Sequence, residues 1–227
     1  MSASSISAPL LGEPLPVELM NTMWVDRAGI HDALGSPADT GSWLRAVADR
    51  EDAPIHGVDA WFEHAPTRGV RQVHLDLRSL RDASRSLAAR LTDDDRPQGH
   101  VELGAQDALR MLNARAASAP SWPALTWPDG APPSAMIVAS SSVGFAFVGG
   151  LARATVLLFA GEGGDVLRAC RAPGCALYFV KQHPRREWCS AACGNRARQA
   201  RHYRRHAGRG DRRARHAAPP RCEAMQG

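Results

Sequence analysis

A mainly α (α+β) fold, with a helical N-terminal domain holding a short β element and a small stapled module at the C-terminus, is predicted from three observations. Apolar residues recur at helical spacing over most of the stretch from Val17 to Ala160. Runs with β character are few and short. Four of the five cysteines fall between Cys170 and Cys193, next to the most basic part of the chain. At 227 residues the chain accommodates one domain of ordinary size plus a module too small to build a core without a staple.

At the N-terminus, MSASSISAPLLGEPLP has neither a basic leader nor a long apolar core, so residues 1–15 are expected to be a flexible N-terminus without a secretory signal, and the protein is expected to be cytoplasmic. PVELMNTMWVD predicts a short helix, followed by a turn near Gly29. Ser36 is an N-cap candidate before Pro37, with Trp43, Leu44 and Val47 forming the apolar side of the next helix. Val73, Leu77, Leu80, Leu87 and Leu91 then recur on one helical face, with Ser84 in the missing slot and Arg and Asp on the other face, until Pro97 forbids continuation. A further helix is expected over Leu103 to Ala116 with Ala105, Leu109 and Leu112 inward. APSWPALTWPDGAPP reads as a loop or short extended connection whose Trp122 and Trp127 pack onto the body, and MIVASSS is the strand candidate, paired with part of that loop. FAFVGGLARATVLLFA is expected to be a buried helix of a soluble protein. Its glycines and Arg153 argue against a membrane span. AGEGGD closes this helical domain, bounded at 16–161, as a flexible joint.

Charge divides the chain more sharply than its net +5 suggests. From Val166 onward 15 Lys+Arg face 3 acids, a net of +12, which leaves −7 for the remainder. An acidic body joined to a basic tail points to a polyanionic partner for the tail. Lys181 is the one lysine. Arginine suits bidentate contacts to phosphate and guanine, although the same bias also arises from a GC-rich genome.

The cysteines space as C-x4-C-x13-C-x3-C: Cys170, Cys175, Cys189 and Cys193. Two close pairs separated by a dozen or so residues suit one tetrahedral zinc, a reading favoured over two disulfides or free thiols in a chain without a signal peptide. Pro173-Gly174 bends the first pair into a knuckle, ALYFV is a strand, QHPRRE a turn, and Trp188 leads back to the second pair. The unit expected over 166–208 is knuckle, β-hairpin and helix, a treble-clef-like zinc finger. Four thiolates close the coordination sphere, so one structural Zn²⁺ is predicted, with no position for catalysis. A helix beginning after Ser190 sorts Cys189, Cys193, Arg196, Ala200 and Tyr203 to one side, and Arg198, Arg201, Arg205 and Arg209 to the other. Trp188, Asn195, Arg196 and Tyr203 are expected to support the finger. The segment 209–227, with the spare thiol Cys222, is expected to be a basic disordered tail.

CRAPGC followed by REWCSAACGNRARQARHYRRH resembles the CGNR zinc finger, whose name is the run Cys193-Gly194-Asn195-Arg196. VELMNT, HDALGSPADTGSWLRAV, LRSLRDA and LARATVLLFA are similar to the ABATE-type domain that accompanies this finger in bacterial proteins. The resemblance implies a bacterial transcription regulator whose finger binds DNA. The x3 spacing of the second pair changes where the helix starts and not the number of ligands.

Arg198, Arg201, Arg204, Arg205 and Arg209 are therefore the candidate nucleic-acid contacts, with DNA the expected partner and RNA an alternative. A competing reading makes the finger an adaptor for an acidic protein surface, including its own body. The N-terminal domain is expected to take a small-molecule or protein partner. No membrane partner is expected, and the oligomeric state is left open. His202 and His206 lack a carboxylate or cysteine for a second metal site, and Asp93 to Asp95 read as solvated helix-ending acids. Gly161 to Gly164 lack the Lys-Ser/Thr of a phosphate loop, and His31-Asp32 reads as a helix entry. No catalytic cluster emerges, and no enzymatic activity is expected.

Overall fold

The computed structural model describes residues 8–96 and 101–216, with side chains up to residue 205. Among these residues the order is α1 (Leu15–Met20), β1 (Met23–Asp26), β2 (Gly29–Asp32), α2 (Pro37–Val47), α3 (Val58–His64), α4 (Thr67–Leu91), α5 (Ala105–Ala117), β3 (Ser121–Thr126), β4 (Ser134–Ala139), α6 (Val143–Ala160), α7 (Glu162–Val166), β5 (Leu167–Ala169), β6 (Tyr178–Val180) and α8 (Ala191–His216). The strands form three separate antiparallel pairs, β1-β2, β3-β4 and β5-β6. The fold is α+β, with the helices carrying the core.

That core is built by α2, α4, α5 and α6, where Trp43, Leu44, Leu77, Leu80, Phe147 and Leu151 interlock. The glycines of α6 do not break it, because they are sites of close approach. A Cβ on Gly144 would lie 2.2 Å from the Trp61 ring, and one on Gly150 would lie 2.4 Å from Pro54 Cβ. α6 is long and apolar enough to cross a membrane by length and composition, yet half of it is buried inside the protein. Arg153, inside this helix, donates to Ala116 O and Ala119 O at the end of α5.

α1 is buried on every side because it is a wedge. Leu15 and Leu19 face the helical core, whereas Val17 and Met20 join a second cluster with Ala88 of α4 and Leu167, Tyr178 and Val180 of β5-β6. The C-terminal hairpin therefore shares a hydrophobic core with the helical domain.

Several sequence expectations are corrected. Residues 8–15 are not a flexible leader, since Glu13 is buried and hydrogen-bonded; residues 1–7 lie outside the described residues. The helix at Val17 ends at Met20 and gives way to the β1-β2 hairpin, where Trp24 stacks on His31 at 5.0 Å. Asp32 turns to Arg81 and His31 to Asp26, so the two neighbours share no target. Helix α4 stops at Leu91, six residues before Pro97. Asp93 adopts the left-handed conformation (φ 48°), and Asp94 N–H bonds Ala89 O at 2.8 Å, a Schellman-type end. The polar face of α4 is not solvated along its second half, because β1-β2 and the finger cover it: Arg81 and Arg85 are 1% and 0% exposed. On α5 Leu112 is buried, Ala108 takes the inward place assigned to Leu109, and Ala105 is half-buried. Trp122 and Trp127 project from the β3-β4 hairpin at 49% and 70% exposure instead of packing on the body. AGEGGD folds into α7. Ser36 caps α2 as expected, accepting from Asp39 N–H at 3.2 Å.

Candidate metal centre and nucleic-acid interface

The first cysteine pair is shaped by its own residues. Pro173 and Gly174 occupy the middle of a turn closed by Cys175 N–H on Ala172 O at 3.0 Å, and Gly174 takes φ +68°, the conformation that a type II turn demands at that position. Cys170 N–H bonds Leu177 O at 2.9 Å, so the knuckle is the loop of the β5-β6 hairpin. The strand that Tyr178–Val180 pairs with precedes the knuckle, a correction to the hairpin expected to come after it. The second pair straddles the start of α8, where Ser190 Oγ accepts Cys193 N–H at 3.3 Å. Gly194 is small because Trp188 lies over it, with Cδ1 3.2 Å from where a Cβ would stand.

The four sulfurs lie within 4.8 Å of one another and all four residues are buried. Cys175 and Cys189 are 3.8 Å apart, and Cys189 and Cys193 3.4 Å. Zinc–sulfur bonds of about 2.3 Å in a tetrahedron set sulfurs about 3.8 Å apart, so the donor set fits one Zn²⁺. The thiols cannot all ionise together without a cation. Hydrogen bonds from Cys175 and Cys189 hold Cys170 down to about 6, and bonds from its three neighbours hold Cys193 down, while the same contacts push Cys175 and Cys189 up. A dication removes that conflict. Arg196 Nη2 donates to Cys193 Sγ at 3.0 Å, which offsets part of the −2 charge of a four-thiolate zinc.

Of the remaining predicted supports, Trp188 packs on the cysteine cluster, and Asn195 Oδ1 accepts from Arg198 on the exposed side. Tyr203 does not support the finger: it is 74% exposed, and the next buried side chain on the helix after Cys193 is that of Ala197. Arg198, Arg201, Arg204 and Arg205 are exposed on α8. Arg209 lies on the same helix, its side chain outside the described residues, as is that of His206. The helix continues to His216, past the expected start of the tail; residues 217–227, including Cys222, lie outside the described residues.

Sequence reasoning missed the residues that fasten the finger to the body. Asn21 Nδ2 donates to Tyr178 O at 3.0 Å while its Oδ1 accepts Tyr178 N–H at 2.9 Å, so one amide side chain pairs with β6 as a strand would. Glu13 accepts Val180 N–H at 2.9 Å and forms an ion pair with Arg186, which also donates to Val180 O and Cys189 O and lies 4.9 Å over Phe179. Arg85 reaches Met20 O and Ala176 O at 2.6 and 3.0 Å. Arg96 donates to the knuckle carbonyls of Cys170 and Cys175. Asp94 is no solvated acid, since its side chain is fully buried against Arg96 and Tyr178 Oη. Burial raises its carboxyl, but the Arg96 and Tyr178 bonds outweigh that and hold it at about 2. The legible signal was Asn21, an amide placed directly after the short helix α1.

Comparison with known families agrees with this anatomy. The ABATE family model, described as "Putative stress-induced transcription regulator", matches residues 13–162, and the CGNR zinc finger model matches residues 167–206. No curated protein matches the chain. Four clustered thiols within the finger match and a helical domain wedged against it across the longer match lead to one assignment: the chain belongs to the ABATE family and ends in a CGNR zinc finger.

Proposed function

We propose that this protein is a cytoplasmic, non-enzymatic transcription regulator that binds duplex DNA through α8. The observation that carries the reading is a division of labour among the arginines of the finger. Arg171 and Arg186 bond to the body, at Asp93 O, Asp95 and Glu13, whereas Arg198, Arg201, Arg204 and Arg205 stand exposed along α8. None of those four pairs with an acid of the body among the described residues, which weighs against the reading in which the basic helix docks on its own acidic domain. A helix with guanidiniums on its outer side fits a major groove, where they track phosphates or meet guanine edges. The zinc holds the scaffold, and its closed sphere leaves the chemistry of recognition to the arginines.

The test is a binding titration of the zinc-loaded protein on random duplex, single-stranded DNA, RNA and an acidic polypeptide across a salt series. Steep salt dependence with preference for duplex is the expected result. Replacing Arg201→Ala with Arg205→Ala should weaken duplex binding and lower the slope of log K against log salt by about 1.8, two phosphates' worth, at unchanged zinc content. Equal binding of the double variant, or equal affinity for the polypeptide, refutes the reading.

A further inference from the structure

The first turns of α8 sort their exposed side chains by direction. Cys193 and Ala197 are buried and fix the inner side of the helix. At about 100° per residue, Asn195 stands about 180° from the midpoint of those two, and Arg198, Gln199 and His202 follow it at the i+3, i+4 and i+7 positions. All four are exposed, and together they form the stripe that faces away from the metal. Arg201 and Arg205 lie to one side of that stripe, and Arg204 falls in the phase of Ala197, one heptad further on. No acid occurs from Trp188 to Gly210.

Arg198 differs from the other exposed arginines in being held. Its Nη2 donates to Asn195 Oδ1, and its Nη1 lies 3.7 Å from where a Cβ on Gly194 would stand, so the guanidinium folds back over the first turn of the helix. That turn is anchored by Cys193 at the metal centre, by the Ser190 cap and by Gly194 N–H on Ser190 O at 3.1 Å. Arg201 and Arg205 have no such hold among the described residues, and Arg204 Nε reaches the carbonyl of Ala200 on its own helix at 3.3 Å. A mobile side chain serves a phosphate, which accepts from many directions, whereas a base edge demands one direction. A guanidinium that is already held loses less rotamer freedom on binding. One N–H of Nη2 is taken by Asn195, and a two-donor edge of the fork stays open, Nη1 with Nη2 or Nε with Nη2, which matches O6 and N7 of guanine.

We infer that α8 reads sequence: Arg198 is its guanine-reading residue, Asn195 is the residue that positions Arg198, and Arg201, Arg204 and Arg205 contact phosphates without selecting a base. The inference rests on the reading of α8 as a duplex-binding helix and names the duplex that it prefers, one with a guanine opposite the first turns of the helix. A helix seated in a major groove turns its outermost stripe, and its N-terminal residues above all, to the base edges, while its flanks meet the backbones. Gln199 and His202 continue that stripe as hydrogen-bonding groups along the groove floor.

The test is selection of duplexes from a randomised pool by the full zinc-loaded chain, followed by titrations on the selected site, on the same site with its guanine pair changed to A·T, and on random duplex. The expected result is a selected guanine whose replacement weakens binding by about fivefold to a hundredfold. Arg198→Lys keeps the charge and loses the fork, so it should abolish that preference while random-duplex affinity stays within about twofold at unchanged zinc content. Arg198→Gln, the second variant should the first lose zinc, should likewise remove the preference. Asn195→Ala should shrink the preference by about twofold to tenfold, and Asn195→Asp, which keeps the acceptor, should retain it. Arg201→Ala with Arg205→Ala should weaken all three duplexes alike. Salt-dependent duplex binding with no selected guanine, or a preference that survives Arg198→Lys, overturns this inference and leaves the duplex-binding reading standing. Failure to bind any duplex overturns both.

Discussion

Replacing Arg96→Met tests how the finger is held. Arg96 is 21% exposed and has three partners: it bonds the carboxylate of Asp94, and its Nη1 serves both Cys170 O and Cys175 O. Methionine keeps the aliphatic stem but leaves the fully buried Asp94 carboxylate without its bidentate partner and leaves two knuckle carbonyls bare. Stripping one partner from a buried pair costs about 3–5 kcal/mol, and Arg171, 3.6 Å from Asp94, compensates in part, so the low end of about 3 kcal/mol applies. That corresponds to a roughly hundredfold change in the unfolding equilibrium and, at a slope near the top of the urea range, a midpoint about 1 M lower. Urea denaturation and the rate of zinc transfer to a chromogenic chelator should both report it, the second because the knuckle opens more often. Adding Asp94→Asn should restore part of the loss by removing the stranded charge. An unchanged midpoint and transfer rate for Arg96→Met, or a double variant weaker than the single one, would refute the clamp.

The Asp94 carboxyl also sets a pH dependence. Because its folded value is lowered to about 2, the stability advantage of the parent over Asp94→Asn should be complete above the ordinary carboxylate value of about 4 and fade as pH falls towards 2, as followed by circular dichroism. Cys189→Ser should abolish zinc binding and unfold β5-β6 and the start of α8, measured as metal per chain and protease sensitivity after Arg168. Asn21→Ala should cost about 1–3 kcal/mol by orphaning the Tyr178 backbone, with thermal unfolding as the readout. Gly144→Ala should destabilise the helical core by about 1–3 kcal/mol, since the added methyl meets the Trp61 ring, and Gly144→Ala combined with Trp61→Leu should recover part of it.

Much of the fold and of the metal centre was legible because it is written in short-range signals. The Ser36 cap, the apolar stripe of α4, the Pro173-Gly174 knuckle and the spacing of the four cysteines each involve residues within a few turns or one loop of each other. The outward arginines of α8 follow from helical periodicity once Ser190 starts the helix. Misjudged elements share a different cause. Leu109 and Tyr203 have the right residue type and nearly the right phase for burial, but among the described residues they stay 41% and 74% exposed.

By itself, the sequence determined which of the longer segments are helical, that one metal staples the C-terminal module, and where its positive charge gathers. Tertiary structure alone decided that the module is no independent appendage: Asn21 meets Tyr178, and Glu13 meets Val180 and Arg186, across more than 150 residues. It decided too that Asp94, Arg81 and Arg85 are buried and that Trp122 and Trp127 stand exposed. The physical reason is that periodicity and ligand spacing depend on neighbours along the chain, whereas burial of a charge or exposure of an indole depends on what distant segments bring to it.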